Sequence, residues 1–238
     1  MDRENLLDRL ISQLDTLIPF LEISRRNVFR LLRAKGYVWF YPAQRNTFPK
    51  TYEVYQKQVC HSALLLGFSY FEAFLADLVR QIYLCNPKML PSEKQLKFEE
   101  ILAARTYEGV LNGMIEKEVM AVFYKSMEDI CEYFRSKLKL ELRKGERDCV
   151  VVASLLRNCI VHNNGRAGSR LIRRVTDYRE GDEIFLDEAA AHEYGISIRS
   201  LARDLYGQAT KRYFRAKPIA KGKQRSPRMR AGRRRSPS

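Results

Sequence analysis

The segment CVVVASLLRNCIVH, residues 149–162, is apolar almost all the way round when it is drawn as an α-helix. Such a helix is typical of the centre of a helical protein, where neighbouring elements cover every side of it. The Asn164-Gly165 pair that follows is a good C-terminal stop, so we expect the helix to span about residues 148–163.

Apolar residues recur at helical spacing on both sides of this central segment. A leucine-rich stripe over residues 6–32 predicts a long first helix, which we expect Pro19 to kink or divide. The run ALLLGFSYFEAFLADLV, residues 63–79, lies in a second long helix predicted over about 51–84. A capping box formed by Ser92 and Gln95 predicts the start of a third helix, and Gly195 is expected to separate the last two helices. These further helices are expected at about residues 93–104, 107–123, 127–142, 187–193 and 197–214.

The remaining segments complete an all-α prediction. The stretch DYREGDEIFL, residues 177–186, suggests a small β-hairpin that turns at Gly181-Asp182. We therefore expect a helical bundle with long antiparallel helices and one minor hairpin over residues 1–215.

The positive charge is concentrated at one end of the chain. The net charge is +15, and residues 211–238 hold twelve of the 43 Lys and Arg residues but none of the 28 Asp and Glu residues. Residues 216–238 contain too little apolar surface to offset the entropy of ordering, so we expect a disordered basic tail. Such a tail could bind the phosphates of RNA or DNA, or it could only add solubility.

Several classes of protein are disfavoured by the sequence. No uninterrupted apolar stretch approaches the 18 residues of a membrane span, and the N-terminus lacks the pattern of a secretory signal. The five cysteines are scattered, which fits a reduced, cytoplasmic protein. Nucleotide-binding and metal-binding motifs are absent, so no cofactor is expected, and His61 is interpreted as a packed helix residue rather than a metal ligand.

The central helix carries its polar residues on one side. At 100° per residue they span an arc of about 140°, with Asn158 between Arg157 and His162 and with Ser154 close by. An arginine on an apolar helix needs a partner or a wet cleft. Arg157 could stabilise charge on a phosphoryl oxygen while His162 moves a proton near neutral pH. The same stripe could instead be a structural hydrogen-bond network.

The motif RNCIVHNNG, residues 157–165, resembles the R-N-x(3)-H signature of HEPN domains. These are all-α bundles found in bacterial toxins, abortive-infection proteins and RNA-processing enzymes. The preceding long helix, with Tyr70, Phe71 and Glu72, and the later GDEIFL segment are similar to the pattern of stand-alone bacterial HEPN proteins.

The resemblance implies a metal-independent endoribonuclease whose site is completed across a homodimer. Arg157, Asn158 and His162 would be its catalytic residues, and attack by the ribose 2′-OH would leave 2′,3′-cyclic phosphate and 5′-OH ends. It also implies a toxin or phage-defence role, with an antitoxin or another defence-system protein as a possible partner. The alternative is a non-catalytic RNA-binding or regulatory HEPN-like module.

Two further features have more than one interpretation. Aromatic residues Tyr37, Trp39, Phe40 and Tyr41 could stack RNA bases or could pack over the core or at a dimer interface. Glu72 could orient Arg157 or His162 from the facing helix, or it could be an ordinary exposed glutamate.

Overall fold

The computed structural model describes residues 5–33, 48–91 and 97–214, and this part of the chain is all-α. The eight α-helices in these ranges are α1 Asn5–Arg33, α2 Phe48–Cys85, α3 Phe98–Ala104, α4 Tyr107–Phe123, α5 Met127–Ser136, α6 Lys144–His162, α7 Ser169–Ile172 and α8 Glu188–Ala209. A 3₁₀ turn at Pro87–Met89 follows α2, and a π-helical turn at Thr210–Phe214 extends α8. The capping box, the aromatic cluster of residues 37–41 and the basic tail all lie outside the described residues.

Helix α2 forms the centre of the bundle, and α1, α4, α6 and α8 all pack against it. Its inward face carries large side chains that are almost completely buried, namely Phe68, Phe71, Phe74, Leu78, Ile82 and Tyr83. Buried Val150, Leu155 and Leu156 of α6 belong to the same hydrophobic core. The predicted central role of α6 is thus shared with α2, which is twice as long.

Helix α2 runs antiparallel to α1 and to α6. At one end of α1, Arg9 pairs with Asp77, whereas Leu21 shares a pocket with Cys60 at the other end of the α2 contact. For α2 and α6, Glu72 meets Arg157, and Ala76 faces the same groove as Ser154. The antiparallel arrangement expected from the sequence is therefore confirmed for these two pairs.

Pro19 does not divide α1, contrary to one form of the prediction. Proline at this position removes the N–H that would bond the carbonyl of Asp15. Both Pro19 and Asp15 are exposed, so water can satisfy that carbonyl. Leu14 and Leu21 are buried on either side of the proline and keep both halves of the helix against α2.

Helix α8 is also continuous, so the predicted break at Gly195 is wrong. Ile198 and Leu201 are buried beyond the glycine, and Ala190 and Ala191 pack against the core before it. This tertiary packing outweighs the cost of a glycine inside a helix, which is about 1 kcal/mol.

Helix α5 ends at Ser136, six residues before the predicted end. Leu138 and Leu140 are both buried in the segment that follows, and Lys139 between them adopts a positive φ of 52°, which is outside the right-handed helical region. The amide side chain of Gln208 donates to the carbonyl of Glu141 and accepts from its N–H, each over 2.8 Å. These two bonds replace the backbone partners that a helix would have supplied.

The predicted hairpin over residues 177–186 does not form, and no named strand occurs in the described ranges. The chain does turn here, with Gly181 at φ 87°. However, the segment after the turn pairs with residues 165–167 rather than with the segment before the turn. Ala167 N–H donates to the carbonyl of Asp182 over 2.8 Å, and Ile184 N–H donates to that of Gly165 over 2.8 Å. One isolated antiparallel bridge, Arg166 to Glu183, is the outcome.

Within the described ranges, one helical segment, Val54–Cys85 of α2, is long and apolar enough to cross a membrane by length and composition. Half of its most apolar window is buried inside the bundle. The core helix of a water-soluble protein meets the same criterion, so this segment is weak support for a membrane location.

Candidate functional site

Helix α6 presents Arg157 and Asn158 toward α2. Arg157 Nη1 donates to Asn158 Oδ1 over 2.9 Å, and Nη2 donates to Glu72 Oε2 over 3.4 Å. The two side chains of the ion pair are 30% and 33% exposed, so the guanidinium is anchored but still reachable from solvent. Of the two interpretations of Glu72, the structure agrees with a contact to Arg157 and not with an ordinary exposed glutamate.

The electrostatics of Glu72 reflect its position between core and solvent. Burial raises the pKa of this carboxyl above its ordinary value, and the nearby Arg157 guanidinium opposes the rise. Desolvation therefore exceeds the attraction of the arginine at this site. A carboxyl in this environment takes up a proton more readily than a surface glutamate does.

Arg157 and Asn158 face a groove of about 1070 Å³, which we call the arginine groove. Its walls come from α2, α4, α6, the α4–α5 turn with the start of α5, and α7 with the residues just after it. Buried Ser154 lies in the same groove. Three of the four predicted stripe residues therefore share one depression in the surface.

The charge of the arginine groove is predominantly positive. Its cationic side chains are Arg80, Lys125, Arg157, Arg170, Arg173 and Arg174, and its carboxylates are Glu72, Glu128 and Asp129.

Several of these cations already have partners. The guanidinium of Arg80 donates to both carboxylate oxygens of Glu116, over 2.6 and 2.8 Å, and Arg174 lies 3.6 Å from Glu128. Within the described ranges, no ion pair joins Lys125, Arg170 or Arg173 to a carboxylate. These cations are therefore available to an anionic ligand.

His162 occupies a different position from the other stripe residues. It is the last residue of α6, it is exposed, and it does not line the arginine groove. It lies five positions after Arg157 on the helix, which turns the two side chains about 140° apart. A single chain thus brings Arg157, Asn158 and Glu72 together but leaves His162 on the neighbouring surface.

The end of α6 is defined by the predicted stop. Asn163 and Gly165 both donate their N–H groups to the carbonyl of Cys159, each over 3.0 Å. Asn164 and Gly165 adopt positive φ values of 54° and 73°, a conformation that asparagine and glycine tolerate best. This turn fixes where His162 leaves the helix.

The arginines near α7 were missed by sequence reasoning. The run RLIRR, residues 170–174, follows the central helix after only a few residues, and it is the signal that could have drawn attention to them. Their place in the groove comes from the packing of α7, which contacts α6 and buries Leu171 in the core. Nothing in the local pattern of the sequence predicts that packing.

No group of three or more His, Cys, Asp or Glu side chains that could hold a metal ion occurs in the described residues. No protein-family model, no curated protein and no solved structure matches the chain. Function is therefore inferred from the geometry of the site and from the R-N-x(3)-H motif.

Proposed function

We propose that the chain is a metal-independent endoribonuclease of the HEPN type, with Arg157, Asn158 and His162 as its catalytic residues. The observation that carries the proposal is the anchored but accessible guanidinium of Arg157, held by Asn158 and Glu72 at the edge of a positively charged groove. An arginine presented in this way suits a phosphoryl oxygen, because the planar guanidinium can donate two hydrogen bonds at once.

The HEPN resemblance implies the reaction. The ribose 2′-oxygen attacks the adjacent phosphorus, the new O2′–P bond forms, and the P–O5′ bond breaks. The 2′-OH loses its proton and the 5′-oxygen gains one, which leaves 2′,3′-cyclic phosphate and 5′-OH ends. His162 serves one or both proton transfers, and Arg157 stabilises the negative charge that develops on the phosphoryl oxygens.

The position of His162 makes a homodimer part of the proposal. A two-fold axis beside the exposed end of α6 would bring the His162 side chains of two copies next to the two Arg157–Asn158 pairs. The apolar side chain of Val161, which is 51% exposed next to His162, supports an interface here. The finished site would then combine groups from both copies.

The separation of Arg157 and His162 within one chain favours a second candidate, a non-catalytic RNA-binding or regulatory HEPN-like module. In the structure of one chain, Arg157 and His162 are not in one pocket. A groove lined by arginines can bind phosphates without any proton transfer. This candidate retains the groove and needs neither the dimer nor a catalytic histidine.

We place the protein in the cytoplasm, in a toxin or phage-defence system, with RNA as its substrate and an antitoxin or another defence-system protein as a possible partner. The basic residues 216–238 would add sequence-independent attraction to RNA. These assignments depend on the HEPN resemblance and on the charge of the tail.

Cleavage of total RNA in the presence of EDTA tests the proposal. A HEPN-type enzyme cleaves under these conditions and leaves 5′-OH ends, which polynucleotide kinase labels without prior phosphatase treatment. A synthetic RNA that the protein cleaves should resist cleavage when it carries 2′-O-methyl ribose at every position, because the attacking hydroxyl is blocked. Binding of RNA without EDTA-resistant cleavage would favour the non-catalytic module.

A further inference from the structure

The arginine groove contains a prominent exposed aromatic side chain. Tyr124, at the C-terminal end of α4, is 91% exposed and lines the groove. Lys125 follows it in the short turn before α5, and it also lines the groove. An aromatic ring that is almost fully solvated contributes little to the core, so both of its faces are open to a ligand in the groove.

The turn that carries Tyr124 lies beside the arginines of α7. Arg174, just after that helix, is 3.6 Å from Glu128 in the first turn of α5. Arg170 lies in α7 and Arg173 directly follows that helix; both are exposed, and both line the groove. The groove therefore combines a stacking surface with at least two cations that lack a carboxylate partner in the described ranges.

We propose that the arginine groove binds single-stranded RNA, with Tyr124 stacking on a base and with Arg170 and Arg173 contacting backbone phosphates. An aromatic platform beside a cationic track is how proteins bind single strands without reading their sequence, because every base has a π-face. The inference rests on the proposed function in one respect, namely that it takes RNA as the ligand of this groove.

This binding mode gives the groove a positioning role. Arg170 and Arg173 would hold the strand on the side of the groove formed by α7, while Arg157 reaches the phosphate to be cleaved. Tyr124 would fix one base and thereby set which phosphate lies at Arg157. Neither Tyr124 nor the two arginines of the α7 side take part in proton transfer, so their loss is expected to weaken binding of the strand and its placement at Arg157.

The probe for the test is a fluorescent 2′-O-methyl oligonucleotide of about ten residues, which the nuclease reaction cannot cleave. Fluorescence anisotropy with the full chain measures its Kd at several salt concentrations. Tyr124→Ala is expected to raise Kd about 5- to 100-fold, the range found for loss of one stacked base, with the salt dependence unchanged. Tyr124→Phe keeps the ring and should bind like wild type, and Tyr107→Ala removes a matched tyrosine that is 75% exposed outside the groove.

The two arginines are tested by the slope of log K against log salt. Arg170→Gln/Arg173→Gln should reduce that slope by about 1.4, since each phosphate contact on a single strand contributes about 0.7. Arg203→Gln/Lys211→Gln removes the same charge from exposed positions outside the groove and serves as the control.

Three outcomes would overturn the inference. The first is a Tyr124→Ala protein that binds the probe like wild type, and the second is an equal salt slope for the two double variants. The third is an acidic peptide that competes with the probe as well as RNA does, and whose binding is weakened by Arg170→Gln/Arg173→Gln but not by Tyr124→Ala. Because the probe is not cleaved, the result is independent of the nuclease activity. If wild type binds the probe as described but does not cleave total RNA in EDTA, the proposed nuclease function is wrong and the inference about RNA binding is retained.

Discussion

Arg157 of α6 and Glu72 of α2 form an ion pair across the two helices that share the centre of the bundle, with Nη2 3.4 Å from Oε2. The other terminal nitrogen of the guanidinium donates to Asn158. Two residues of the R-N-x(3)-H motif are thus joined to each other and to the facing helix. Sequence separation between the partners of the ion pair is 85 residues, so this arrangement depends on the tertiary fold.

The Glu72 carboxyl should make a pH-dependent contribution to stability with an unusual sign. Burial raises its pKa in the folded state, so the native protein binds more protons than the unfolded chain above about pH 4.3. Stability from this group is therefore lost as the pH rises from there through the folded-state pKa. Glu72→Gln removes the titration. Urea denaturation at a series of pH values should show that the free energy of unfolding of wild type falls relative to that of the variant over this window. The opposite trend would mean that the attraction of Arg157 outweighs the effect of burial on the carboxyl.

Arg157→Lys should separate charge from geometry. The lysine keeps a positive charge but cannot donate to both Asn158 and Glu72 in the planar arrangement of the guanidinium. We expect cleavage to fall about 100-fold or more, as when a preorganised donor to a transition-state oxygen is lost. Stability should change by less than about 1 kcal/mol, because both partners of the ion pair are partly exposed.

The control for Arg157→Lys is Arg203→Lys, on the exposed face of α8. Melting temperature and EDTA-resistant cleavage are measured on the same samples. An Arg157→Lys protein that cleaves like wild type would mean that a point charge suffices. One that loses stability while its folded fraction cleaves normally would support a structural role for the stripe.

The helices were largely predictable because their amphipathic patterns are local. α2 and α4 lie within three residues of the predicted bounds, and the Asn164-Gly165 stop ends α6 where the local pattern predicts. The errors occur where tertiary contacts outweigh local signals. Gly195 continues a helix because its neighbours on both sides are packed against the core, and the Gly181 turn pairs with residues 165–167 instead of forming a hairpin.

Only the part of the site that lies along one helix was predictable from the sequence. Helical spacing correctly placed Arg157 and Asn158 together, and a contact between Glu72 and Arg157 was one of two interpretations of that glutamate. It also grouped His162 with them, whereas the structure leaves that residue exposed beyond the groove. An arc of 140° is wide enough for its two edges to face different surroundings. Arg170 and Tyr124 are brought to the groove by packing between elements far apart in sequence, which periodicity does not report.

His61 should make the protein sensitive to mild acid. Its side chain is 3% exposed and its Nε2 has no hydrogen-bond partner, which confirms the interpretation as a packed residue. Burial, with a smaller effect from Lys57, lowers its pKa, although the bond to the Ile184 backbone and the charge of Glu183 oppose this. The unfolded chain therefore binds the proton first, and stability is lost as the pH falls below about 6.5 toward the folded-state pKa.

The test of His61 compares unfolding free energies in urea between pH 5 and pH 7. Wild type should lose more stability over this range than His61→Gln, which does not titrate. His192→Gln, at an exposed position of α8, should behave like wild type. Equal pH dependence of wild type and His61→Gln would show that the buried imidazole is already compensated when charged.

Val161→Glu should disrupt the proposed dimer without unfolding the chain. The valine is 51% exposed in the last turn of α6, so a glutamate there can be solvated in a monomer. Across a two-fold axis the new carboxylates would face each other and lose their water. Light scattering at micromolar concentration should give twice the 27.9 kDa chain mass for wild type and the single mass for the variant.

Loss of the dimer should also abolish EDTA-resistant cleavage, since each site needs groups from both copies. Val54→Glu changes another valine, 59% exposed on α2, and should leave both mass and cleavage unchanged. A wild-type monomer that cleaves RNA at micromolar concentration would contradict the shared site.

His162→Ala gives the most direct test of proton transfer. The side chain is exposed at the end of α6, so its removal should leave the melting temperature within a degree or two of wild type. If His162 moves the proton, cleavage should fall by about two to four orders of magnitude, the usual span for general acid–base catalysis. Binding of the uncleavable 2′-O-methyl probe should change far less than cleavage, because the cations of the arginine groove are all retained. His192→Ala, which removes another exposed histidine, controls for the substitution itself. A stable His162→Ala protein with normal cleavage would end the proposal of a catalytic histidine, whereas a stable, RNA-binding and inactive one would separate catalysis at His162 from binding in the groove.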